Sequence, residues 1–157
     1  MSPHVPDETW ETVVRSVPLV SVDLVVHHDG GVVLGKRTNQ PAKGEWFVPG
    51  GTVTKHERLE DAVHRVAREE LGVGVTIDRR LGVYEHFYEV ADVDDADGKH
   101  YVPIGFEVTT DSERLEPDTQ HAELQVFEPP FEIDLHPYVQ AYLEDAGVID
   151  SRDRPSA

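Results

Sequence analysis

The sequence predicts a mixed α/β (α+β) fold, and three observations predict it. At 157 residues the chain is long enough for one domain with a real core. Runs such as VPLVSVDLVVH and HYVPIGFEVTT are rich in β-branched residues and read as strands. Leu59, Ala62, Val63, Val66, Ala67 and Leu71 recur at helical spacing, as do the apolar residues at 135, 138, 139, 142 and 143.

In chain order, DETWETVVRS (7–16) predicts a short helix or arm carrying Trp10, and residues 17–27 a first strand with Asp23 inside it. A carboxylate in an apolar strand either faces solvent or is placed for a ligand. His28-Asp29-Gly30-Gly31 is a hairpin signal, and VVLGKR follows as a strand ending in Lys36 and Arg37. After the loop TNQPAKGE, WFVPGG leads as a short strand into a glycine pair and the helix at 59–71. Residues 75–90 read as strand material containing His86. The acidic stretch 91–99 lacks the closing Glu of a calcium loop and reads as solvated. Pro103 marks HYVPIGFEVTT as an edge or irregular strand, with Tyr101 near its start. DSERLEPDT delivers Gln120 and His121 to a last strand, AELQVF, and a C-terminal helix closed by Gly147 precedes a tail at 148–157. The strands alone do not fix a topology.

Chemistry concentrates at residues 50–73, GGTVTKHERLEDAVHRVAREELGV. A glycine pair lets backbone carbonyls approach an ion closely. Glu69 and Glu70 beside the apolar stripe suit a hard, oxygen-seeking cation such as Mg²⁺. This stretch closely resembles the Nudix box, with Gly51, Glu57, Arg65, Glu69, Glu70, Gly72 and Val73 in register. Val66 stands where that pattern has Glu, so a cluster of three carboxylates on one helix face is cut to two. The resemblance implies the Nudix fold, a mixed β-sheet sandwiched between helices, formed as one domain over 1–157 with residues 1–16 as an N-terminal arm.

Outside the box the chain resembles one branch of that family, the GDP-mannose mannosyl hydrolases. The stretches that carry this are TVVRSVPLVSVDLVV, LGKRTNQPAKGEWFVPGG, YEHFY, HYVPIGFEV and the Gln-His of PDTQHAEL. That branch also lacks the box Glu replaced by Val66. The resemblance implies hydrolysis of GDP-mannose, or GDP-glucose, to GDP and free hexose by water attacking sugar C1 with inversion. It implies Mg²⁺, with Mn²⁺ as substitute, held by the Gly50 carbonyl, Glu70 and Gln120. His121 is implied as general base, and Arg37, helped by Arg65 and Tyr101, as the group that neutralises departing GDP. Asp23 would position the substrate, Lys36 and His86 would make lesser contacts, and Trp10 would stack on guanine. A homodimer is implied too. Thr52 departs from the branch's best-known members, which place Arg there, and Glu69 departs where they have Ala; Glu69 would add a metal ligand or face solvent. Two other readings stay open: a Nudix pyrophosphohydrolase attacking phosphorus with Glu57, Glu69 and Glu70 on the metal, and a non-catalytic domain that binds a nucleotide sugar.

Composition narrows the partners. Cysteine is absent, which excludes disulfides, zinc thiolate sites and a thiol nucleophile. Acids number 31 against 14 Lys plus Arg, a net charge of −17 that argues against nucleic acid or an anionic membrane as partner. No apolar run is long enough to span a bilayer and the start lacks a secretion signal, so a cytoplasmic setting is expected. A surface this acidic repels itself unless salt screens it, which reads as adaptation to a salty cytoplasm. Thermal melts should therefore shift upward as KCl rises from low to molar concentration; a midpoint indifferent to KCl refutes this reading.

Overall fold

The computed structural model describes residues 5–38, 42–91, 97–115 and 123–150. Gln120, His121, most of the acidic stretch and the end of the tail lie outside these residues. Eleven elements follow in order: α1 (Asp7–Ser16), β1 (Leu19–His28), β2 (Gly31–Lys36), β3 (Trp46–Phe47), β4 (Gly50–Thr52), α2 (Leu59–Leu71), β5 (Val75–Val83), β6 (His86–Tyr88), β7 (Lys99–Thr110), β8 (Leu124–Phe127) and α3 (Pro137–Asp145). Among the described residues no helix is long and apolar enough to cross a membrane.

The sheet is mixed, with β1 and β7 parallel at its centre and the other pairs antiparallel. The β1–β2 hairpin turns on Asp29 (φ 48°) and Gly30 (φ 82°), two successive left-handed residues whose twist matches that of paired strands. Alternation along β1 sends Val22, Leu24 and Val26 to one face and Val25 to the other. The first face packs on α2 through Ala62, Val63, Val66, Ala67 and Leu71. The second packs on α3 through Val139, Tyr142 and Leu143. Two apolar layers thus enclose one sheet, which is the sandwich expected. A third, smaller cluster docks α1, with Val14 and Leu19 buried beside Trp10 and Tyr101. There the Lys99 ammonium lies 5.0 Å from the Trp10 ring and 5.2 Å from the Tyr101 ring.

One strand reading needs correction, and a second is decided between its two alternatives. WFVPGG is not one strand: β3 pairs with β2 and β4 with β1, and Val48-Pro49 carries the chain between them. The strand containing Pro103, expected to be an edge or irregular, is not an edge but pairs irregularly, with register shifts against β5. β7 has β1 on one side and β5 and β6 on the other. The Pro103 carbonyl accepts from the Tyr84 amide, between the Val83–Ile104 and His86–Tyr101 rungs. The missing N–H therefore falls where β5 has ended and β6 has not begun, so it removes no rung of a continuous ladder.

The turn leading into α2 is held by one side chain. Arg65 Nε donates to Glu57 Oε2 at 2.8 Å, and its Nη2 donates to Glu57 Oε1 at 2.9 Å and to the Thr52 carbonyl at 2.8 Å. Its Nη1 reaches Glu69 at 3.0 Å, one helical turn on. Glu57 Oε1 also accepts from the Thr54 amide and hydroxyl, each at 3.1 Å. These donors, Arg65 first, hold the Glu57 carboxyl down at about 2 against an ordinary 4.5. A depressed carboxyl contributes stability above its unfolded pKa and loses it as pH falls through the folded one. Glu57→Gln should lower the melting temperature at neutral pH by roughly 4–8 °C, for a charge-assisted pair of about 2 kcal/mol. The gap between the two proteins should close as pH falls from 4.5 towards 2, and a gap independent of pH would remove the clamp from the stability account.

Candidate active site

A glycine pair on the short strand β4 joins the two faces of the sheet. β4 runs antiparallel to β1, with Gly50 opposite Asp23 and Gly51 opposite Val22. Leu24 N bonds the Pro49 carbonyl and Val53 N bonds the Val20 carbonyl, so hydrogen-bonded rungs alternate and Gly50 sits between them. Its carbonyl consequently points away from β1, off the sheet edge, where no described strand pairs with it. A Cβ on Gly51 would stand 3.0 Å from Val66 Cγ2, while one on Gly50 would collide with Asp23 Oδ1. Gly51 therefore belongs to the α2 face and Gly50 to the α3 face.

On the α3 face a pocket gathers five of the residues singled out in sequence: Asp23, Arg37, Gly50, His86 and Tyr101. Thr52, at the position that departs from the branch, is in its wall as well. Burial pushes the Asp23 carboxyl up to about 6, against the opposing pull of a Tyr142 hydrogen bond and the Arg37 charge. Tyr142 Oη donates to Asp23 Oδ2 at 2.6 Å. His86 Nδ1 lies 3.9 Å from the same oxygen. Its ring stacks on Tyr138 at 4.0 Å and 5°, and burial, with His136 adding to it, lowers its pKa to about 4. At neutral pH His86 is therefore an uncharged imidazole, not the cation of an ion pair. Tyr138 is fixed in turn by its hydroxyl, which accepts from the Phe87 amide at 2.9 Å and donates to the Phe87 carbonyl at 3.0 Å.

Other singled-out residues lie elsewhere. Lys36 is exposed at the end of β2, and Trp10 is engaged by Lys99 in the α1 cluster. Arg65 is spent on Glu57, Glu69 and the Thr52 carbonyl, so it does not line the pocket with Arg37. Glu69 is partly exposed, and its carboxylate pairs with Arg65, four residues back on the helix. Val66, 1% exposed, fills the position of the missing carboxylate with methyl groups against Gly51. That leaves Glu70 as the half-buried acid one turn beyond Val66, without an ion pair among the described residues. Gln120 and His121 lie outside the described residues; the backbone carbonyl of Glu123 accepts from the Lys36 amide at 2.9 Å.

Sequence reasoning missed Tyr88, which lines the pocket, and Tyr142 and Tyr138, which hold the lining residues Asp23 and His86. A signal existed for Tyr142. Its ring lies in the apolar stripe of α3, where a phenol hydroxyl needs a partner, and Asp23 was a carboxylate in need of one.

Residues 17–146 match the Nudix domain. The chain is 63% identical over 141 residues to the low-salt glycan biosynthesis protein Agl8 of Haloferax volcanii, across 90% of either chain. It is 42% identical over 67 residues to an ADP-ribose pyrophosphatase of Methanocaldococcus jannaschii, which is 43% of this chain and 40% of that protein. The crystal structure of a MutT Nudix hydrolase from Burkholderia pseudomallei superposes with a TM-score of 0.66 at 29% identity, covering 83% of this chain and 98% of that one. A UDP-X diphosphatase, at 17% identity, shares the fold with a TM-score of 0.63 over 91% of this chain and 72% of its own. A box helix facing the sheet from one side, a polar pocket on the other and these likenesses agree: the chain belongs to the Nudix hydrolase family.

Proposed function

We propose that the chain hydrolyses a GDP-sugar, GDP-mannose or GDP-glucose, to GDP and free hexose, by attack of water at C1 of the sugar with inversion. The observation that carries this reading is the division of the box acids. Arg65 ties up Glu57 and Glu69, Val66 removes the third helix carboxylate, and the titratable groups Asp23, Arg37, His86 and Tyr101 gather on the opposite face of the sheet. Attack at phosphorus leans on several box carboxylates; displacement at carbon needs a base for water and stabilisation of a departing diphosphate. The name of the Haloferax relative, a glycan biosynthesis protein, supports a sugar-bearing substrate.

In this reading the Gly50 carbonyl, Glu70 and Gln120 would hold Mg²⁺, or Mn²⁺ in its place. One carboxylate with two neutral oxygens fits a hard ion that draws its remaining ligands from substrate phosphates. Bound there, the ion would supply charge neutralisation to the diphosphate. Arg37 adds a planar fork of donors for the same oxygens, with Tyr101 donating a further hydrogen bond. Asp23 orients the sugar, and neutral His86, wedged on Tyr138, shapes the pocket beside it. His121 takes the proton from water. A histidine's ordinary pKa of ~6.5 leaves it neutral and basic at slightly alkaline pH. The enzyme is proposed to work as a homodimer, as members of the resembled branch do.

The pyrophosphohydrolase reading has one observation in its favour, the partial likeness to an ADP-ribose pyrophosphatase. Product analysis separates the two. Incubation with GDP-mannose and Mg²⁺ in ¹⁸O water should give GDP and labelled mannose; GMP and mannose-1-phosphate, with label in phosphate, would establish attack at phosphorus instead. His121→Gln should lower kcat by ~10²–10⁴ with KM nearly unchanged. Full activity in that variant would remove the imidazole from the reaction, and tight nucleotide-sugar binding with no turnover by the parent protein would make this a binding domain.

A further inference from the structure

Tyr142 is 0% exposed, and its ring sits among Val25, Leu34, Val139 and Leu143 in the apolar layer under α3. Its hydroxyl, the polar atom of that ring, leaves the layer to reach Asp23 Oδ2. Both neighbouring strands make room for this contact. Gly105 on β7 is level with Asp23 in the parallel ladder, and a Cβ there would stand 3.0 Å from Tyr142 Cε1 and 2.9 Å from Tyr84 Cε1. Gly50, level with Asp23 on β4, is where a Cβ would strike Asp23 Oδ1. The row Gly50–Asp23–Gly105 thus keeps one carboxylate between two bare backbones, with Tyr142 over one side and the pocket over the other.

The two oxygens of Asp23 consequently have separate duties. Oδ2 is turned towards α3 and held by a phenol that has a single proton to give. Oδ1 lies over Gly50 in the pocket wall, as an acceptor. We propose that Tyr142 is a positioning residue: by holding Oδ2 it presents Asp23 Oδ1 to the pocket as the acceptor for a hydroxyl of the substrate's sugar. This rests on the nucleotide-sugar reading of the pocket. A carboxylate free to rotate would offer either oxygen in several orientations; a held one offers a single oxygen in one place, and misplacement of about 1 Å can cost ~10²-fold in rate.

The test compares the full chain with Tyr142→Phe, Asp23→Ala and the double variant, using GDP-mannose turnover, GDP affinity and crystal structures. Phenylalanine keeps the buried ring, so the loss is confined to the hydroxyl. Tyr142→Phe should lower kcat by roughly tenfold or more, leave the affinity for GDP unchanged, and show an Asp23 carboxylate rotated off Gly50. Added to Asp23→Ala it should change kcat no further, because the group it positions is gone. Effects that multiply in the double variant, or an Asp23 carboxylate unmoved in the Tyr142→Phe crystal, overturn the proposal. If the carboxylate rotates but the parent chain turns over no GDP-sugar, or Asp23→Ala is fully active, the positioning by Tyr142 stands and the sugar reading falls.

Discussion

A charged group in the middle of a buried sheet is the constraint on which this structure turns. Strand β1 is mostly buried, and Asp23 sits within it where its side chain is only 12% exposed. Such a group must find donors close by or carry an unmet desolvation cost. Here Tyr142 supplies one from α3, Arg37 supplies opposite charge from the end of β2, and glycines on both flanking strands keep the space clear. The position of α3, the short β4 and the break between β5 and β6 all meet around this residue. They hold in place a group that a sheet built for stability alone would replace by valine.

The other face of the sheet solves an opposite problem. The family signature is crowded with acids, and the structure engages two of them. Arg65 binds two and also grips the Thr52 carbonyl, which fixes the turn after the glycine pair. Val66 converts the remaining helix position into packing. The signature thus serves as scaffold on the α2 side, with Gly50 presenting its carbonyl at the border and Glu70 standing apart. Scaffold and pocket share the glycine pair, so a change at either glycine disturbs one side directly and the other through a single peptide.

Much of this was legible in the chain itself. The hairpin at Asp29-Gly30, the apolar stripe of α2 and the glycine closing α3 are local features, written in neighbouring residues. Glu57 and Arg65 were in register with a known pattern, but that pattern does not reveal that they bind each other rather than a ligand. Pro103 pointed to an edge or an irregular strand, and the choice between them was not local, because the gap that accommodates it belongs to a different strand. Tyr142 and Asp23 are 119 residues apart, and only the closed sandwich brings them to hydrogen-bond distance. What the sequence could show was that each lacked a partner; that each is the other's partner depends on topology. For Trp10 the residue alone pointed to a core position and the resemblance to base stacking; in the structure the ring packs in the α1 cluster with the Lys99 ammonium 5.0 Å from it.

That last contact has a consequence for a protein so rich in negative charge. Counterions weaken attractions between groups that both stand in water, because they crowd around each partner. Lys99 is 7% exposed and lies against two aromatic rings, whose π faces attract its ammonium. The first helix is thereby fastened to the start of the central strand by a contact that dissolved salt screens less than it screens a pair of exposed charges.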